Sequence, residues 1–303
     1  MSRRRSAIIA ATVAAVGLVY GGLWLYAAGR LTEGVERWAA ERRAQGWQVK
    51  LGGVSATGFP FRLAVVIPAP ALARSRDGRF WRGPPVTLYF RPWQPDMVEA
   101  GFPGTHFFGT SPARAQDGIK LKVGRAKAWL HAAANGDDVQ RRIDLMLGDL
   151  VLPDGVRAPL GQTIEKLELS ATVKGPHGPD RDRDAMAAWR DGGGVVELPR
   201  LALDWAALSL SADGTLALDR NLQPEAALSA RFTGFKETVD ALVSLGKIRP
   251  RNGMTAKIVL GLLEKRPAGG GPPQITAPLT IQAGKLYIGP VQLLSLPKID
   301  WGN

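Results

Sequence analysis

The 303-residue chain contains no cysteine. That excludes a disulfide framework and any thiolate metal site. It does not argue against export, because a chain this long can bury a core of its own. Histidine is scarce, with three residues, His106, His131 and His177. They lie on separate segments, without the i,i+4 spacing or neighbouring carboxylate of a metal-binding helix. Each is read as a loop or surface residue. No G-x-S-x-G elbow occurs, and Gly246-Lys247 lacks the upstream glycine and following hydroxyl of a phosphate-binding loop. The triple glycine at Gly192 follows a predicted helix rather than a strand, so it lacks a dinucleotide-fold context. Asp180, Asp182 and Asp184 alternate with Arg181 and Arg183. Without the glycine and distal glutamate of a calcium loop, they read as a solvated helix start. The expectation is therefore a protein that is not an enzyme and uses no metal or cofactor.

Long apolar runs are also rare, and the one that is present dominates the reading. Arg3, Arg4 and Arg5 precede an uncharged stretch from Ser6 to Gly29, closed by Arg30. Its apolar part, Ala7 to Ala28, rises on the order of 30 Å as a helix, about one hydrocarbon core. The leading arginines favour a cytoplasmic N-terminus, which places the rest outside the cytoplasm. A cleaved signal peptide is the competing reading, with Ala27 and Gly29 at small positions of a cleavage site. The length of the run and the bulk of Tyr20, Trp24 and Tyr26 favour a retained anchor, and Trp24 and Tyr26 suit the outer interface belt. The expected organisation is residues 1–29 as cytoplasmic tail and transmembrane anchor, and 30–303 as an exported β-rich domain.

The net charge is +12. In the cell envelope a basic protein meets anionic headgroups, lipopolysaccharide phosphates and peptidoglycan carboxylates. Nucleic acid is not an expected partner there. The lysines and arginines are scattered, so the preferred reading is diffuse surface charge.

After the anchor, Leu31, Val35, Trp38 and Ala39 continue a helical stripe, with Glu33 and Arg37 placed to pair and Gly46 as terminator. Trp38 is read as a core anchor. From Trp47 the period changes to two. Val49 and Leu51 alternate, then Phe59, Phe61, Leu63, Val65 and Ile67. Later runs are Val86–Leu88–Phe90, Ile119–Leu121–Val123, Ile143–Leu145–Leu147 and Leu167–Leu169–Ala171–Val173. Short runs bounded by Gly, Pro and Asp predict an antiparallel sheet with one apolar face. Two hairpins are predicted. One has a three-residue loop, Ala212 to Gly214, that sets Leu210 opposite Leu216. The other turns at Gly284-Lys285 and sets Ile281 opposite Ile288. Between them lie two helices. The first carries Phe235, Val239, Leu242 and Leu245, with Thr233 as cap and Gly246 as terminator. The second carries Met254, Ile258, Leu262 and Leu263, with Asn252 as cap. Asp180 to Arg190 is a further helix candidate, and Pro267 to Pro273 reads as an exposed loop. The fold class is mainly β: a transmembrane helix, then an extended curved antiparallel sheet with a few packed helices.

The local signal that bears on function is Gly58-Phe59-Pro60-Phe61-Arg62-Leu63. Pro60 has no amide donor, which suits an edge strand or strand entrance. Phe59, Phe61 and Leu63 would then face one way, either as sheet packing or as the lining of an apolar groove.

The N-terminal span, the helix ending near Gly46-Trp47, the Gly-Phe-Pro-Phe-Arg-Leu string and the Gly284-Lys-Leu-Tyr-Ile-Gly strand together resemble an uncharacterised family of membrane-anchored alphaproteobacterial proteins, a domain of unknown function. The resemblance implies an exported β-rich fold and no known catalytic residue. More remotely, the pattern is similar to AsmA-like periplasmic proteins, in which a span leads into a curled sheet with an apolar interior. That implies lipid handling by analogy. The expected function is a non-enzymatic protein of the inner membrane that holds lipid or another hydrophobic ligand, with Phe59, Phe61 and Leu63 in the groove. The alternative is a scaffold that binds an envelope protein, with Trp81 and Trp93, both in proline-rich segments, as contact residues. An envelope hydrolase would need clustered acids or histidines that the sequence does not display.

Overall fold

The computed structural model describes residues 2–74, 76, 78–91, 93–110, 118–135, 138–156, 158–175, 183–266, 270–299 and 301. His177, the aspartates at 180 and 182, and the first part of the loop expected at Pro267 to Pro273 lie outside them. The chain divides into two compact units, Met1–Lys120 and Leu121–Asn303. It is mainly antiparallel sheet with an N-terminal apolar helix and a few further helices.

The first unit begins with α1 (Ser2–Ala44). Within it, Ser6–Ala44 is long and apolar enough to cross a membrane, with a mean hydropathy of 2.0 in its best window. Val16, Leu18 and Leu25 have no protein cover, at 63%, 78% and 68% exposed. The last turns of the helix do pack. Ala39 is fully buried against Val49, Leu51 and Ile67, with Val35 and Leu88 beside them. An alanine at that position lets the helix approach the strands closely. Trp38 is left on the other face at 41% exposed, and the core position expected for it belongs to Ala39. Gly46 ends the helix with φ +81°, as expected of a left-handed terminator. Glu33 pairs with Arg30 at 3.6 Å.

Eight strands follow: β1 (Trp47–Lys50), β2 (Ser55–Thr57), β3 (Leu63–Ile67), β4 (Ala71–Arg74), β5 (Phe80–Arg82), β6 (Val86–Arg91), β7 (Gln94–Gly101) and β8 (Gly104–Gly109). They pair antiparallel in two ribbons, β1–β4–β5–β8 and β2–β3–β6–β7. Trp81 lies in β5, a regular strand, despite its proline-rich setting.

The second unit is a meander of long strands. β9 (Ile119–Asn135), β10 (Asp138–Val151) and β11 (Thr163–Lys174) lead to α2 (Arg183–Asp191). Next come β12 (Val195–Trp205), β13 (Leu208–Leu218) and β14 (Pro224–Thr233), then α3 (Phe235–Ser244) and α4 (Pro250–Leu262). The short β15 (Glu264–Lys265), β16 (Gln274–Gln282), β17 (Lys285–Ile288) and β18 (Val291–Ser295) complete it. The order is β9–β10–β11–β12–β13–β14–β16–β17–β18, antiparallel throughout, with β15 also beside β16.

Several local expectations are corrected. Asp213-Gly214 is not a turn: β13 runs straight through it and pairs with β12 and β14 on either side. The apolar parity Leu208, Leu210, Ala212, Leu216, Leu218 is unbroken across Gly214, as one strand requires. The glycine is there because β14 is close. A Cβ at residue 214, where φ is +153°, would lie 2.2 Å from the Ala227 carbonyl oxygen. The hairpin turn lies earlier, at Ala206 and Ala207, between Trp205 and Leu208. The second hairpin exists but turns at Ala283-Gly284, with φ of +50° and +69°. That type I′ geometry sets Ile281 opposite Leu286, and Ile288 faces Leu279 instead. The residue before α3 is Gly234, φ +68°, rather than Thr233, since a side chain there would strike the Ala207 carbonyl. Arg249, not Asn252, precedes α4, and Pro250 opens it. The stripe expected to bury α4 is exposed: Met254 65%, Ile258 61%, Leu262 83%. The helix buries Gly253, Ala256 and Leu260 instead. A Cβ on Gly253 would meet Val243 at 2.5 Å, so small residues set the close packing of α4 on α3.

Candidate functional site

In an antiparallel pair, residues directly opposite share a face. Following the register across the second unit gives one apolar face. Leu147, Leu167, Leu203, Leu210, Phe232 and Ile275 succeed one another from β10 to β16. The next row is Ala128, Leu145, Leu169 and Leu201. Leu130, Ile143 and Ala171 form a third.

The cover on this face is uneven. Toward β14 and β16 it is sealed by α3 and α4, where Phe232, Phe235, Ala256, Leu260 and Ile275 form the main core and Ile275 is 1% exposed. A second cluster, Met186, Trp189, Leu218 and Leu222, lies under α2. Among the described residues neither cluster includes Leu145, Leu147, Leu167 or Leu169, which remain half-buried. Leu130 and Ile143 are 46% and 39% exposed. Leu130 of β9 and Ile143 of β10 thus stand exposed side by side, whereas Ala171 opposite Ile143 is buried and Leu201 of β12 packs against the main core.

The opposite face carries ion pairs, together with Trp129 and the exposed Met146. Glu168 accepts from Arg200 at 2.7 Å and from Lys166 at 3.0 Å. Asp144 accepts from Arg142 at 3.0 Å and from the Ser170 hydroxyl at 2.5 Å, with His131 at 3.4 Å. Burial raises both carboxyls, but these donors and cations outweigh it and hold each below its ordinary value. Where β12 bulges at Pro199, a shallow cleft of about 230 Å³ opens beside Arg200, Asp213 and Arg231.

The sequence-predicted groove residues divide. Leu63 is 5% exposed and belongs to the core of the first unit, with Val65 beside it in β3. Phe59 and Phe61 do not continue that strand as expected. They sit in the turn before it, where the Arg62 amide donates to the Gly58 carbonyl at 2.8 Å and the Phe59–Pro60 peptide is cis. The turn leans on α1. Phe59 packs edge-on to Trp24, centroids 5.5 Å apart, and beside Tyr20 at 6.3 Å. Trp24 Nε1 donates to the Arg62 carbonyl at 3.0 Å, and the Tyr20 hydroxyl donates to the Pro60 carbonyl. Phe61 is left 89% exposed. Trp93 is 73% exposed.

His106 was expected at the surface but is 5% exposed in β8. Its Nδ1 accepts from Trp81 Nε1 at 3.3 Å, and Nε2 meets the Phe102 carbonyl at 3.1 Å. Burial pushes it below its ordinary value, against the raising effect of the Phe102 bond, which fits a neutral ring accepting at Nδ1 and donating at Nε2. Ser244-Leu245-Gly246-Lys247 has the S-x-x-K spacing of some serine acyl-enzymes. The Ser244 hydroxyl donates to the Asp240 carbonyl at the end of α3, a helix-surface arrangement. Among the described residues no group of acids and histidines could hold a metal ion.

The sequence model of one family, described as "Uncharacterized protein conserved in bacteria (DUF2125)", matches residues 24–156 and 130–297. No curated protein and no solved structure matches the chain.

Proposed function

The chain belongs to this bacterial family, and we propose that it is a non-enzymatic, membrane-anchored protein of the cell envelope that binds or transfers lipid. In this reading α1 is a retained signal anchor in the inner membrane, and the strands and later helices lie in the periplasm. The alphaproteobacterial origin and AsmA-like character suggested by the sequence belong to the same proposal.

One observation carries the reading: the apolar face of β9 to β11, half-buried and open at Leu130 and Ile143, is continuous with a sealed core on the same sheet. Exposed apolar side chains side by side on a sheet face suit an apolar occupant. Strands lie about 4.8 Å apart, so β9 to β11 present a strip roughly 10 Å wide. Each methylene covered there contributes about 0.8 kcal/mol. Phe59 and Phe61 remain lipid-contact residues in this proposal, and Leu63 supports them from the core.

Photo-crosslinking in cells tests it, with p-benzoylphenylalanine at residue 145 or 169 on the apolar face and at 146 on the opposite face. Lipid adducts from 145 and 169, and none from 146, are expected. Protein adducts in place of lipid would instead favour the scaffold reading, for which the exposed Trp93 is the supporting observation.

A further inference from the structure

We propose that the Gly58–Arg62 turn is a membrane-inserted tip that dips beside α1 into the leaflet on the side of the folded units, with Phe61 among the acyl chains. The inference rests on the reading of α1 as a membrane span.

The depth follows from where the turn is attached. Its contacts with α1 are at Tyr20 and Trp24, inside the apolar stretch rather than beyond it. Arg30 is the first charged residue after that stretch. At 1.5 Å per residue, Trp24 lies roughly 9 Å and Tyr20 roughly 15 Å below the level of Arg30. A segment bonded at those two residues is carried below the interface with them.

The chemistry of the turn matches that setting. Backbone polar groups carried toward hydrocarbon gain from partners within the protein, and three carbonyls of the turn have them. The Gly58 carbonyl accepts from the Arg62 amide, the Pro60 carbonyl from the Tyr20 hydroxyl, and the Arg62 carbonyl from the Trp24 indole. Pro60 has no amide to satisfy. Phe59 covers the helix at Gly21, where an added Cβ would be 3.9 Å from its ring. Phe61 has no such cover, and its 89% exposure is the largest among the exposed large hydrophobic residues described. In water that ring would be an uncompensated apolar surface; in a leaflet it is solvated. Arg62 places its guanidinium over the Tyr89 ring of β6, 5.3 Å from the centroid. A long basic side chain can place its charge at the headgroup level in this way.

The cysteine-free chain allows a direct test. Phe61→Cys, Leu18→Cys and Trp93→Cys variants of the full chain are labelled with a nitrobenzoxadiazole dye and reconstituted in phosphatidylethanolamine–phosphatidylglycerol vesicles. Quenching by iodide and by acyl-chain spin-labelled lipid is then measured. The inference predicts that residue 61 behaves as residue 18 does: blue-shifted, quenched by the spin-labelled lipid and severalfold less accessible to iodide than residue 93. If 18 is in lipid and 61 is as open to iodide as 93, the inserted tip is overturned while the span stands. If 18 is itself open to iodide, the span reading fails and the tip with it. An acyl-chain diazirine phospholipid applied to the unsubstituted chain gives an independent readout. Adducts at Phe61 are expected, and adducts on α1 without any at Phe61 would contradict the tip.

Discussion

Ile143 and Ile275 are the same residue type on the same face of one sheet, yet they differ in cover: 39% against 1% exposed. Truncating each to alanine therefore measures how much of that face the protein itself seals. Ile275 is enclosed by Phe232, Ala256 and Leu260. Its loss leaves a cavity as well as lost transfer energy, so Ile275→Ala costs about 2–5 kcal/mol. At Ile143 water already reaches the side chain, and no cavity term arises. Removing three methylene equivalents at ~0.8 kcal/mol each gives about 2.4 kcal/mol for a fully buried residue, and about three fifths of that, roughly 1.5 kcal/mol, for this one. Urea unfolding of the delipidated full chain in detergent, followed by far-ultraviolet circular dichroism, reads both values. Added lipid widens the cost at Ile143, because the wild-type chain gains RT ln(1 + [L]/Kd) that the variant loses in part. The same lipid leaves the cost at Ile275 unchanged. Equal costs at the two positions without lipid would refute the claim that the β9–β10 end of the face is uncovered.

Gly214→Ala is expected to destabilise the second unit by several kcal/mol, since the new Cβ meets backbone of β14 rather than a movable side chain. A urea midpoint equal to wild type would show that the two strands can separate without cost. Acid should act in two stages. His106, held below its ordinary 6.5 by burial, contributes stability that is complete above that value and falls as pH drops through it toward the folded-state value. His106→Gln keeps an acceptor for Trp81 and should flatten the fall in stability below about pH 6.5. Asp144 and Glu168, both held low, contribute stability that is complete above the ordinary carboxyl range and is lost as pH falls through their folded values. Asp144→Asn and Glu168→Gln should weaken that second stage, and unaltered acid midpoints would count against those ion pairs.

The strands were legible because alternation survives wherever one face is buried. β6, β9, β10 and β11 lie where the apolar residues recur. Turn chemistry misled where it competed with that parity. Asp213-Gly214 has the composition of a hairpin loop, but the glycine serves a close strand approach, which depends on a residue of β14 distant in sequence. The alternation through Phe59, Phe61 and Leu63 is equally regular in sequence, and Pro60 divides it into a turn and a strand. On α4 the spacing of the larger residues predicts the core stripe, whereas close helix packing selects Gly253 and Ala256. The uncovered part of the sheet face had no signature of its own. Leu145 and Leu169 alternate just as Leu228 and Phe232 do, and what separates them is where α3 and α4 settle, a property of the tertiary fold.

The central claim is that lipid occupies the partly covered apolar face of the second unit, and its most direct test is lipid stoichiometry. Organic extracts of the purified full chain and of a Leu145→Asp/Leu169→Asp variant are compared by mass spectrometry. Both retain α1, so lipid held around the anchor cancels. The account predicts a defined lipid class, near one equivalent per chain, present in the wild type and lost from the folded variant. Identical lipid content in two equally folded proteins would contradict it.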